Sequence, residues 1–152
     1  MSEAARILVV ANRTAATPAL LAAVSERASH GAARFTLLVP NAVRGLERLA
    51  DPEDHGQDDS QATLELALPL LEQAAGAPVE GMVGDAEPLA AIHDALNLHG
   101  FDEIILSTLP QRVSRWLRLD LPSKVAGLGL PVTVVTAGSR EGAAAVRLAS
   151  KG

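Results

Sequence analysis

The chain has 152 residues, the length of one domain; 48% are apolar but only 2% aromatic, so the core must be built from Ala, Val, Leu and Ile. It has no cysteine for a disulfide or thiolate metal site, and its formal charge of -5 speaks against general nucleic-acid binding, which rewards basic surfaces. No stretch reaches the ~20 apolar residues of a membrane span, and the opening MSEAARILVVANR lacks the longer apolar region of a signal peptide. The expectation is a cytoplasmic protein with neither membrane nor nucleic-acid partner.

In chain order, Arg6 to Ala11 is a continuous apolar run, the pattern of a strand buried on both faces. Thr17-Pro18 then predicts an N-cap and first-turn proline for a helix carrying Leu20, Leu21, Val24 and Ala28, stopped by His30-Gly31. Arg34 to Val39 is a second strand of the buried type, closed by Pro40-Asn41. Val43 to Ala50 has the pattern of a short helix, followed by the acidic loop Asp51 to Asp59, which holds five carboxylates and no Lys or Arg. Ser60 is placed to cap a helix with Leu64, Leu66, Leu68, Leu70 and Leu71, bent at Pro69, which has no N–H for the carbonyl of Glu65, and ended by Gly76.

Pro78 to Val83 is a weaker strand with few, interrupted apolar residues, which suits a sheet edge. Gly84-Asp85 reads as a turn and cap, with Pro88 in the first turn of a helix whose buried stripe is Leu89, Ile92, Ala95, Leu96 and Leu98. Phe101 to Leu106 is the fourth strand, Pro122 to Leu128 a helix, and Pro131 to Thr136 the fifth strand. The tail from about residue 137, AGSREGAAAVRLASKG, is expected to be loose or to form a marginal last helix. Alternating strands and helices imply right-handed crossovers and a parallel sheet covered on both faces. The chain thus reads as one α/β domain over 1–152, a three-layer sandwich.

Three segments together resemble a universal stress protein domain, from Ile7 to Thr136. ILVVANRTAATPALLAAVSERA resembles the family's opening strand, loop and helix. GMVGDAEPLAAIHDALNLHGFDEIILST resembles its segment of strand, Gly-Asp turn, helix and acid-led strand, and LPVTVV its closing strand. The resemblance implies a five-stranded parallel sheet of order 3-2-1-4-5, Rossmann-like and of the adenine nucleotide alpha hydrolase-like kind. It also implies a role in stress response and a homodimer. Nucleotide-binding members carry an Asp after the first strand and a loop of Gly, two residues, Gly, nine residues, Gly, then Ser or Thr. Laid on this chain, those positions hold Asn12, Ser107, Pro110, Asp120 and Leu121.

Glycines let backbone amides approach phosphate oxygens closely; proline removes an amide donor and an aspartate repels phosphate. The usual ATP cradle is therefore not expected to form. Side chains offer a different route: Arg112, Arg115 and Arg118 recur at spacings of three, and a guanidinium binds phosphate bidentately. The arginines read first as a solvated helix face, since a charged stripe at helical spacing is most often exposed surface, and Trp116 as an interface anchor or a filler between loop and sheet. The candidate ligand-binding residues are Ala11, Asn12, Arg13, Pro40, Gly84, Ser107, Thr108, Arg112, Ser114, Arg115 and Ser123. An adenine nucleotide, ATP or AMP, or another small phosphorylated compound is the ligand they would suit.

The four histidines lack the i, i+4 spacing of a helical metal pair, and His30 and His99 read as helix-end residues. Counted from Asp51, the twelfth position of a calcium loop falls on Ala62 instead of Glu. Ser107 and Ser123 lack a nucleophile-elbow context and a histidine base. A binding or signalling module without catalytic residues or a metal is expected.

Overall fold

The computed structural model describes residues 4–11, 14–40, 56–84, 87–108, 116, 120–136 and 146–148, with 56–60 and 146–148 described as backbone alone. In order, the elements are β1 (Ala5–Val10), α1 (Pro18–Ser29), β2 (Ala33–Pro40), α2 (Gly56–Ala75), β3 (Val79–Gly84), α3 (Pro88–Leu98), β4 (Glu103–Thr108), α4 (Leu121–Ala126), β5 (Val132–Thr136) and β6 (Val146–Leu148). Among them no helix is long and apolar enough to cross a membrane. The predicted helix over Val43 to Ala50 and residues 51–55 of the acidic loop lie outside the described residues, whereas Gly56 to Asp59, expected as loop, form the first turn of α2.

The sheet order is β3-β2-β1-β4-β5-β6. Its first five strands are all parallel, in the expected order 3-2-1-4-5. The tail differs from expectation: Val146–Leu148 is a short antiparallel strand, with Val132 opposite Leu148 and Val134 opposite Val146. A helical tail would leave the N–H and C=O groups along the outer side of β5 to water, whereas a returning strand pairs them.

Alternation along the strands divides the core in two. Ile7 and Val9 of β1, Ala11 just after it, Leu37 of β2 and Ile105 of β4 pack against Leu20 and Val24 of α1 and Leu64, Ala67 and Leu71 of α2. Leu8 and Val10, Leu38, Ile104 and Leu106 point the other way, onto Ala91, Ile92 and Ala95 of α3 and Leu121 and Val125 of α4. Strands β1, β2 and β4 are buried on both faces, which is why they read as unbroken apolar runs. At the edge, β3 exposes Glu80 and Gly81.

The helix boundaries follow local chemistry, with some corrections to the sequence reading. Pro18 opens α1, but Thr17 makes no side-chain cap; its hydroxyl donates instead to the carbonyl of Thr14 at 2.9 Å. Helix α2 starts at Gly56, so Ser60 lies within it, and it tolerates Pro69 in its interior. Gly76, at φ +72, turns the chain out of α2, and Glu72 Oε2 accepts the Val79 N–H at 3.1 Å, tying helix end to strand start. The N-cap of α3 is Glu87, whose Oε1 accepts the Ala90 N–H at 3.3 Å; Asp85 lies outside the described residues. Strand β4 runs two residues further than expected, so Ser107 and Thr108 are strand residues and not a turn.

At the amino end of the sheet, the Arg6 N–H donates to Asp102 Oδ2 at 2.8 Å while the Asp102 N–H donates to the Arg6 carbonyl at 2.7 Å. Alongside, the Arg27 guanidinium of α1 forks onto the Glu103 carboxylate of β4 at 2.6–3.1 Å. These hydrogen bonds, opposed in part by burial, hold the Arg27 pKa above its ordinary value.

Candidate functional site

Strands β1 and β4 are neighbours in the middle of the sheet, but β1 leads by way of α1 to one side and β4 leads by way of α4 to the other. At such a switch point the connections diverge from the carboxyl ends and leave a crevice, where open parallel sheets hold ligands. The residues at that end come from the close of β1, the start of α1, the close of β4 and the start of α4.

Ala11 follows β1, fully buried, with its N–H donating to the Leu38 carbonyl at 3.2 Å. Beyond it the chain turns through Thr14, which is 2% exposed. The Thr14 and Ser107 hydroxyl oxygens share a hydrogen bond of 2.6 Å that joins loop to strand across 93 residues. The Thr14 carbonyl accepts from both the N–H and the hydroxyl of Thr17, at 3.2 and 2.9 Å. Thr14 escaped the sequence reading because nothing local marks it; its partner is on another strand.

Thr108 is the residue after Ser107, is 2% exposed, and by alternation faces the opposite side of the sheet, the side of α3 and α4. Among the described residues its hydroxyl has no hydrogen-bond partner. A buried polar group left unpaired costs about 1–3 kcal/mol. Its register partner Thr136 on β5 is half-buried on the same face.

Asp120 precedes α4 with φ 59° and ψ 36°, the left-handed conformation, and among the described residues it alone adopts a positive φ without being glycine. Its side chain makes no capping hydrogen bond and is exposed, while Leu121 beside it is buried. This is the position laid against the third glycine of the phosphate loop, so the backbone keeps a glycine's conformation while the residue supplies a carboxylate. The strain is about 1–2 kcal/mol for an L-residue, reduced for Asp by its short polar side chain.

The other candidates are dispersed. Ser123 is exposed in the first turn of α4. Pro40 and Gly84 are register partners at the ends of β2 and β3. A Cβ on Gly84 would lie 2.8 Å from that of Ala91 and 2.9 Å from Leu38 Cδ1, so this glycine is required by the packing of α3 on the sheet. Asn12, Arg13, Arg112, Ser114 and Arg115 lie outside the described residues. Trp116, a helical residue, is half-buried against the core on the α3/α4 side, as the filler reading expects. Among the described residues there is no cluster of His, Asp or Glu that could hold a metal. His30 Nδ1 is 2.8 Å from the Glu26 carbonyl oxygen, and His99 stands edge-on to Phe101 at 6.3 Å.

A solved universal stress protein in complex with cAMP superposes with a TM-score of 0.55 at 17% identity, covering 88% of this chain and 98% of that one. The fold is that of a universal stress protein. The E. coli protein MccB, solved with succinimide, matches with a TM-score of 0.51 at 12% identity over 87% of this chain, which spans only 37% of that larger one. No family model and no curated protein matches the sequence. At these identities the likeness is one of fold. Within this fold, Thr14 after β1 and Ser107 and Thr108 at the end of β4 carry hydroxyls, and a left-handed aspartate precedes α4.

Proposed function

We propose that this protein is a universal-stress-protein-like binding or signalling module in stress response, whose ligand site at the ends of β1 and β4 does not use the family's usual ATP cradle. The observation that carries this reading is Asp120, which occupies a glycine's backbone conformation with an exposed carboxylate at the start of α4. Where a phosphate would approach, that carboxylate repels it. The absence of glycine at Ser107 and Pro110 points the same way. A homodimer, which the family resemblance implies, and a cytoplasmic location and non-catalytic role, which are expectations from the sequence, complete the reading.

A second reading is supported by the cAMP bound to the similar structure: an adenine nucleotide or other phosphorylated compound held by the arginines after β4. Equilibrium binding of ATP, ADP, AMP and cAMP to the purified full chain separates the two. The first predicts no sub-millimolar affinity for ATP. Sub-millimolar binding that disappears in an Arg112→Ala/Arg115→Ala double variant would sink it in favour of the second. Mass spectrometry of the denatured protein checks for a ligand carried through purification.

A further inference from the structure

Ser107 and Thr108 end the same strand but face opposite sides of the sheet, and only one of them is satisfied. The Ser107 hydroxyl closes on Thr14 at 2.6 Å, on the α1 side, so that pair is structural. The Thr108 hydroxyl, equally buried on the α3/α4 side, has no partner among the described residues. Native structures leave few such groups unpaired, and one at the carboxyl end of β4, at the switch point, is placed to meet a ligand.

The surroundings of that hydroxyl define what it would meet. Thr136 lies beside it in register and on the same face. Helix α4 packs on this face through Leu121 and Val125 and begins at the carboxyl end of the sheet with Asp120, whose carboxylate is exposed and makes no cap bond. A carboxylate accepts hydrogen bonds and repels phosphate, whereas hydroxyls both donate and accept. Thr108, Thr136 and Asp120 are therefore matched to a group carrying hydroxyls, such as the ribose diol of a nucleoside, and not to a phosphoryl group.

We infer that the ligand enters on the α3/α4 face of β4, that its uncharged, hydroxyl-bearing part hydrogen-bonds Thr108 Oγ1, and that Asp120 selects against a phosphorylated form. This rests on the proposed ligand site and adds which face it occupies, which atom is open and which class of ligand it takes. Thr108 then holds a hydroxyl that weakens the empty protein and strengthens the occupied one.

The test uses the full chain as wild type, Thr108→Val, Thr108→Ser and Asp120→Asn, with urea unfolding without ligand and calorimetric titration of adenosine, AMP and ATP as probes. Thr108→Val, nearly the same shape without the hydroxyl, is expected to raise the urea midpoint and weaken adenosine about tenfold. Thr108→Ser keeps adenosine binding, and Asp120→Asn strengthens AMP relative to adenosine. A lower midpoint for Thr108→Val, adenosine affinity unchanged in it, or a wild type that takes none of the probes overturns the inference. Sub-millimolar ATP binding by the wild type overturns the proposed function; if Thr108→Val leaves that affinity unchanged, the role of Thr108 falls with it.

Discussion

Asp120 carries two consequences, one for affinity and one for stability. A residue held at φ 59° is strained by its Cβ, and glycine removes that strain at the cost of a more flexible unfolded chain. Asp120→Gly is expected to stabilise the protein by about 0.5–1 kcal/mol, read as a higher urea midpoint at unchanged slope. A midpoint equal to or below wild type would show that the aspartate side chain makes an offsetting interaction. The sequence alone marked this position as one where a glycine is missing, because the loop spacing places it there. It could not show that the backbone had kept the glycine's conformation. The pairing of Thr14 with Ser107 was illegible for a related reason: the two hydroxyls are adjacent only after the β1–α1 loop and β4 have folded together.

Among the elements, the tie between α1 and β4 rests on the Arg27–Glu103 fork, part-buried at 23% and 21% exposure. Arg27→Met keeps the apolar stem and removes the charge, and is expected to cost about 1 kcal/mol, within the range of well-formed but solvent-touched pairs. Because the folded pKa of Arg27 is raised, its contribution is complete below the ordinary arginine value and is lost only as pH rises through the raised one. The difference between wild type and variant should therefore stay level from about pH 7 to about pH 10 in urea titrations. A difference that shrinks across that window would assign the effect to another group. Strands β1, β2 and β4 were plain in the sequence because burial on both faces leaves an uninterrupted apolar run. The cap of α3 was misplaced because Asp85 is by propensity the better cap, yet Pro88 sets the first turn and the residue before it, Glu87, takes the role. Strand β6 was missed because three residues after AGSREGAAA carry no periodic signal, and their pairing is decided by the open side of β5.

For the whole molecule, β6 is what separates the parallel sheet from an open β5 edge. A chain truncated after Thr136 should have a lower urea midpoint and form larger species than the full chain in sedimentation at equal concentration, because an exposed edge strand pairs with copies of itself. Identical midpoint and mass for the two would show that β6 contributes nothing to either. The parallel sheet follows from the alternation of elements and from right-handed crossovers and is legible in the sequence, whereas its strand order was implied by the family resemblance.

Trp116 gives the molecule one further property. It is the chain's one tryptophan, there is no tyrosine, and it is half-buried against the core on the α3/α4 side. Nearly all the near-ultraviolet emission of the protein therefore originates at a single ring on the α3/α4 side of the sheet. The fold contains its own fluorescent label there, so quenching or a colour shift on adding a compound reports events on that face without any chemical tag.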